Sequence, residues 1–130
     1  MTLLDSARTT WQLVCPLEAL IPGRGVAALI DNRAVAIFRI GDEDVRAIDN
    51  IDPCSGASVL SRGLMGQTDI DGAPVRYVAS PLRKERFDLD TGRCLDATAS
   101  VATWIVRVHE GMVEVAREPS SSSNGPETTP

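Results

Sequence analysis

The sequence predicts a single all-β domain of antiparallel strands, on three observations. Short runs rich in β-branched residues recur along the chain, and clusters of Gly, Asn and Asp separate them. Two-residue turn signals such as Asp31-Asn32 and Asp71-Gly72 join neighbouring runs, which is typical of hairpins. The chain has 130 residues, of which 43% are hydrophobic, and this length suits one core rather than two.

The elements follow in order along this chain. One helical turn is expected at residues 16–20, after the first strand, and another at residues 57–60. A three-stranded meander leads into residues 50–63, and a hairpin over residues 66–79 leads into residues 80–89. The predicted strands lie at residues 11–15, 25–30, 33–40, 45–48, 75–78, 86–89, 93–95, 104–109 and 112–116.

Composition places both ends of the chain outside the folded domain. Residues 1–9 have few order signals and are expected to form a flexible N-terminus. Residues 118–130 are rich in Ser, Pro and Thr and have almost no apolar side chains to bury. The predicted domain is therefore residues 10–117, followed by a disordered tail.

Charge and hydropathy exclude several classes of partner. A formal net charge of −5 at pH 7 disfavours nucleic acid and anionic membranes, because both surfaces are negative. No apolar run is long enough to span a bilayer, and the N-terminus lacks the basic and apolar regions of a secretion signal. We therefore expect a cytoplasmic protein.

The cysteines and the histidine show no metal-site or catalytic pattern. Cys15, Cys54 and Cys94 are odd in number and lack a CxxC spacing, so reduced thiols are expected. A nucleophilic role for Cys54 would need a nearby base, and the one histidine, His109, is distant in sequence. The interpretation of Cys54 as a small structural residue is favoured, and no catalytic residue or metal ligand is predicted.

Two loops carry the most specific motifs. The first, residues 50–63, reads Asn-Ile-Asp-Pro-Cys-Ser-Gly-Ala-Ser-Val-Leu-Ser-Arg-Gly, and the second, residues 80–89, reads Ser-Pro-Leu-Arg-Lys-Glu-Arg-Phe-Asp-Leu. Pro53 and Pro81 restrict φ in each loop. Gly56 and Gly63 are expected to allow turns that are closed to residues with a Cβ.

These loops resemble the two cluster-binding loops of a Rieske iron–sulfur domain, whose [2Fe–2S] centre is held by two cysteines and two histidines. On that register the ligand positions are Asp52 and Cys54 in the first loop and Ser80 and Arg83 in the second. No plausible cluster site remains, and Asp52 is expected instead to accept hydrogen bonds from loop amides. The resemblance implies a Rieske-like antiparallel β-sandwich or barrel with a smaller loop-bearing subdomain.

Within Rieske-like domains, the motifs are similar to those of the small subunit of assimilatory NAD(P)H-dependent nitrite reductase, a family that also lacks the ligands. The similarity covers residues 11–116 and is most specific at residues 48–63 and 79–95. It implies a non-catalytic subunit that supports the reduction of nitrite to ammonium in nitrate and nitrite assimilation. A large subunit would carry siroheme, FAD and an iron–sulfur cluster, and the isolated small subunit would be inactive.

Two alternative functions are a Rieske-type electron-transfer ferredoxin, which the loss of all four ligands disfavours, and a free-standing interaction module on the same scaffold. The sequence does not distinguish NADH from NADPH as the donor, because that choice would lie in the large subunit.

The second loop also holds a concentrated basic patch, Arg83, Lys84 and Arg86, in an otherwise acidic chain. Such a run is either a solvated face or a docking surface for a partner with an acidic surface. Arg83 stands where a Rieske domain has an exposed histidine. Docking to the large subunit is therefore the more specific of the two hypotheses.

Overall fold

Ten β-strands and two 3₁₀ turns form the part of the chain that the computed structural model describes, residues 9–120. All strand pairs in this part are antiparallel, which confirms the all-β prediction. In the same residues, no helix is long and apolar enough to cross a membrane. The strands are β1 (Trp11–Pro16), β2 (Gly25–Ile30), β3 (Arg33–Arg39), β4 (Val45–Asp49), β5 (Leu64–Ile70), β6 (Ala73–Ala79), β7 (Arg86–Asp88), β8 (Thr103–Trp104), β9 (Val106–His109) and β10 (Met112–Ala116).

The strands form three sheets, with the orders β1-β10-β9, β2-β3-β4-β8 and β5-β6-β7. The predicted hairpins β2–β3 and β5–β6 are both present. Asp31 and Asn32 both have positive φ, as a two-residue hairpin turn that follows the strand twist requires. The predicted strand at 93–95 is reduced to two isolated bridges, Phe87 with Cys94 and Arg93 with Ser100.

Strand β3 is the centre of the fold because it is buried on both faces. Val35 and Ile37 point into one core, which the β1-β10-β9 sheet covers, and Ala36 and Phe38 point into a second. A strand covered on both sides needs a continuous apolar run, and the sequence 34–38 provides one. The second core also contains Ile48, Leu60, Val78, Phe87, Leu89 and Val101, so it supports the small sheet and the two loops.

The predicted strand 104–109 is divided at Ile105, which is a correction to the sequence interpretation. Trp104 is buried in β8, and its indole Nε1 donates a hydrogen bond to Asp49 Oδ1 of β4 at 3.0 Å. Ile105 is exposed, and β9 then pairs with β10 in another sheet. The chain passes from one sheet to another at Ile105, because the indole hydrogen bond holds Trp104 against β4.

The predicted helical turn at 57–60 lies later, at Leu60–Arg62. Asp52 N donates to Ala57 O at 2.8 Å, and Ile51 and Ser58 form a bridge. Residues 57 and 58 therefore pair with the start of the loop and are not free to begin the turn.

The predicted flexible N-terminus and disordered tail lie outside the described residues, apart from Thr9 and residues 118–120. Arg117 N donates to Thr10 O at 3.1 Å, and Ser120 N donates to Thr103 O at 2.7 Å. The folded chain is therefore hydrogen-bonded as far as Ser120.

Candidate functional site

The first loop joins β4 to β5, and Asn50 folds it back on itself. Asn50 is buried; its side-chain Oδ1 accepts a hydrogen bond from Ser61 N at 2.6 Å, and its Nδ2 donates to Ser58 Oγ at 2.9 Å. Its backbone oxygen accepts from the amides of Val59 and Leu60. Asn50 was not among the predicted site residues, although an asparagine directly after a buried strand is a recognised turn signal.

Asp52 shapes the turn of the first loop, as predicted. Its Oδ1 accepts a hydrogen bond from Cys54 N at 2.8 Å, and its backbone oxygen accepts from Gly56 N at 2.7 Å. Gly56 has a φ of +79°, a conformation that favours glycine, so the expectation for this residue is confirmed.

Gly63 is needed for a different reason from the one predicted. Its φ of −77° is open to any residue. A Cβ at this position, however, would lie 2.2 Å from the backbone oxygen of Ala79. Gly63 therefore allows the end of the first loop to lie directly against the start of the second.

A buried hydrogen bond joins the two loops. Ser80 Oγ donates to Asp52 Oδ2 at 2.7 Å, and the two residues are 1% and 0% exposed. Ser80 Oγ also accepts from Leu82 N at 3.3 Å, so the same hydroxyl orders the second loop. Asp52 and Ser80 occupy two of the positions at which the Rieske resemblance places cluster ligands.

The other two such positions are Cys54 and Arg83. Cys54 packs against the second core, and burial raises the pKa of its thiol, with the Glu85 and Asp52 carboxylates adding to the effect. These effects disfavour the thiolate, which is the nucleophilic and metal-binding form, and so favour the structural interpretation of Cys54. Arg83 is 57% exposed and pairs with Glu85 at 3.2 Å, and Glu85 Oε1 is buried without a hydrogen-bond partner among residues 9–120.

This set of side chains does not fit a [2Fe–2S] cluster. A guanidinium is always protonated and has no lone pair for iron, and the Ser80 hydroxyl is engaged with Asp52. Across residues 9–120, no group of three or more His, Cys, Asp or Glu side chains could hold a metal ion. His109 lies at the end of β9 beside Glu110, at the far end of the sequence from both loops.

The predicted basic patch is divided by the structure. Arg86 binds Asp96 with two hydrogen bonds, of 3.0 and 2.8 Å, and its guanidinium lies 5.4 Å from the centre of the Tyr77 ring. This pairing lowers the pKa of the Asp96 carboxyl. Within residues 9–120, Lys84 makes no ion pair, and it lies exposed with a φ of +68°. Of the three cations, Lys84 is thus the one with an unshared charge.

The fold and the two facing loops define a Rieske-like domain in which a buried hydrogen bond between Asp52 and Ser80 joins the loops. The family model of the Rieske-like [2Fe-2S] domain matches residues 10–116. The Salmonella typhimurium protein named nitrite reductase (NADH) small subunit is 45% identical over 107 residues, which cover 81% of this chain and 95% of that protein. The chain belongs to the Rieske-like family and, within it, to the nitrite reductase small subunits.

The chain is also similar to a solved structure and to a segment of a longer protein. A protein described as the NADH-dependent nitrite reductase small subunit from Mycobacterium tuberculosis has a TM-score of 0.76 and 45% identity, covering 85% of this chain and 96% of that one. The Klebsiella oxytoca protein named nitrite reductase [NAD(P)H] large subunit is 43% identical over 109 residues, or 83% of this chain. The chain spans only 11% of the length of that relative.

Proposed function

We propose that this chain is the small, cluster-less subunit of an NAD(P)H-dependent nitrite reductase, and that it supports the reduction of nitrite to ammonium without catalysing it. The observation that carries the proposal is the similarity to a nitrite reductase small subunit over 95% of that protein's length. The Asp52–Ser80 bond supports a non-catalytic role, because it uses two of the loop positions that would otherwise hold a redox centre.

The partner is a catalytic large subunit. In the Klebsiella relative, a segment similar to this chain is part of a protein named as the large subunit, which supports a close association between the two parts. Siroheme, FAD and an iron–sulfur cluster would all lie in that partner, and the assembly would act in the cytoplasm. A ferredoxin role is disfavoured because Asp52, Cys54, Ser80 and Arg83 cannot hold a cluster that would carry the electron.

This function predicts that the chain co-purifies with the large subunit when the two are co-expressed. It also predicts that the chain makes nitrite-dependent NADH or NADPH oxidation faster, or makes this activity last longer. The controls are each subunit alone. We expect the small subunit alone to contain no iron, to show no visible absorption and to have no activity. Failure to co-purify, or a stoichiometric cluster in the isolated chain, would contradict the proposal.

The second loop is the proposed docking element, through Arg83, Lys84 and Arg86. Because Arg83 and Arg86 are already paired with carboxylates, their role is to steer the encounter rather than to supply new ion pairs. The double substitution Arg83→Glu/Lys84→Glu should slow association with the large subunit, and the wild-type on-rate should fall as salt is raised.

The matched control for this prediction is Arg107→Glu/Arg117→Glu, which changes the charge equally at two ion-paired arginines on the β9–β10 side. Binding to immobilised large subunit at two ionic strengths provides the measurement. Equal on-rates for the two double variants would mean that the basic residues of the second loop are a solvated surface with no specific role in docking.

A further inference from the structure

We infer that the chain binds its large subunit through an apolar surface at the loop end of the molecule, formed by Ile51, Leu64 and Leu82 and bordered by Arg62 and Lys84. We call these five residues the tip face. The inference rests on the proposed function for the identity of the partner. It differs from the docking hypothesis above in placing the affinity in apolar side chains rather than in the basic residues of the second loop.

The three apolar side chains of the tip face are open to solvent. Leu64 is 79% exposed, Leu82 57% and Ile51 47%. Single exposed apolar residues are normal on protein surfaces, and Leu13 and Leu29 are examples in this chain. What distinguishes the tip face is the position of its three apolar residues in the chain and in the strand pairing. Ile51 is next to Asp52, Leu64 is opposite Ala79, and Leu82 is in the turn that Ser80 orders.

The hydrogen bonds and strand pairing of the loops bring these three positions together. Ile51 precedes Asp52 in the chain, and the backbone N of Leu82 bonds to Ser80 Oγ, so both flank the buried Asp52–Ser80 bond. Leu64 lies directly opposite Ala79 in the β5–β6 pair, next to Ser80. The tip face is therefore held in place before binding, which reduces the entropy lost when a partner orders it.

The charges at its border indicate the partner's chemistry. Arg62 and Lys84 are exposed and make no ion pair with another residue in the range 9–120, a property that they share with Arg24 and Arg93. Seven other arginines of the same range pair with carboxylates. Two unshared cations around an apolar centre, on a chain with a net charge of −5, are complementary to an apolar recess bordered by carboxylates. We assign that recess to the large subunit.

The two parts of the tip face should act on different rate constants. Apolar side chains that become fully buried contribute most of the affinity of an interface, and their loss speeds dissociation. Charges at the border mainly change the rate of association and its salt dependence. The inference therefore predicts separate kinetic effects from the two sets of residues.

The test measures the binding of wild type and double variants to immobilised large subunit. Leu64→Ala/Leu82→Ala should weaken binding about 10-fold to 100-fold, mainly through faster dissociation. The control Leu13→Ala/Leu29→Ala, which truncates two other exposed leucines, in β1 and β2, should stay within about twofold of wild type, since truncations outside an interface leave binding unchanged. Arg62→Ala/Lys84→Ala should slow association and reduce its salt dependence, while thermal melts of all three variants match wild type.

Several outcomes would overturn the inference. If wild type binds the large subunit and Leu64→Ala/Leu82→Ala binds equally well, the tip face is not the interface, although the proposed function stands. If wild type does not bind at all, the proposed function itself fails. If sedimentation shows that the chain self-associates and that Leu64→Ala/Leu82→Ala abolishes this, the tip face joins two copies of the chain instead.

Discussion

Replacement of Asp52 by alanine is expected to lower the free energy of unfolding by about 2–4 kcal/mol. The carboxylate is fully buried and accepts hydrogen bonds from Ser80 Oγ and Cys54 N. Without it, the buried Ser80 hydroxyl and the part-buried Cys54 amide lose their acceptor, and the two loops lose their buried link. Removing a buried charge offsets part of this loss, because the desolvation cost of the carboxylate disappears as well.

A set of related substitutions separates the hydrogen bonds from the charge. Asp52→Asn keeps the shape; its carbonyl can accept from Cys54 N while its amide donates to Ser80 Oγ, so a much smaller loss is expected. Ser80→Ala leaves one carboxylate oxygen buried without its donor and should cost about 1–3 kcal/mol. In a double-mutant cycle, Asp52→Ala and Ser80→Ala should show a coupling of about 0.5–3 kcal/mol.

Urea or guanidinium denaturation measures the free energy of unfolding of each variant in this series. Ser55→Ala is the control, because Ser55 lies exposed in the same loop and should change stability by no more than about 0.5 kcal/mol. A value for Asp52→Ala close to that of Ser55→Ala would show that the two loops are held by packing alone. Additive effects of Asp52→Ala and Ser80→Ala would argue against a direct bond between the side chains.

Gly63→Ala is expected to cost about 3 kcal/mol, at the upper end of the range for overpacking. The added Cβ would lie 2.2 Å from Ala79 O and 2.7 Å from Val78 Cγ2. A backbone oxygen cannot rotate away as a flexible side chain does, so the first loop or strand β6 must shift. Because Ala79 precedes Ser80, that shift also disturbs the Asp52–Ser80 bond and the tip face.

Gly41→Ala is the matched control for this substitution. A Cβ at Gly41 would meet its nearest atom, Asp44 Cβ, at 3.8 Å, so the change should be neutral or stabilising by about 0.4–1 kcal/mol. Thermal melts and large-subunit binding of both variants provide the comparison. A Gly63→Ala protein as stable as Gly41→Ala would mean that the approach of the first loop to Ala79 is looser than the structure shows.

The sequence predicted the local elements well where short-range signals decide them. The hairpin at Asp31-Asn32 follows from turn chemistry, and both residues adopt the positive φ that such a turn needs. The division of the strand at Ile105 was missed, since the residues on both sides are equally suited to a strand. What separates them is the bond from Trp104 to Asp49, which lies 55 residues away in the sequence.

By itself, the sequence predicted that this chain does not hold a Rieske cluster. Such a cluster needs two cysteines and two histidines, and of Asp52, Cys54, Ser80 and Arg83 at the predicted ligand positions only Cys54 is of either type. The sequence also determined that Asp52 would bind nearby amides, which is a local contact. Only the tertiary structure decided that Asp52 and Ser80, 28 residues apart, bond to each other. It also decided that Arg83 and Arg86 are paired with carboxylates, while Lys84 has no such partner within residues 9–120. Side chains distant in sequence meet only where the packing of the strands brings their loops together, and no local pattern encodes that distance.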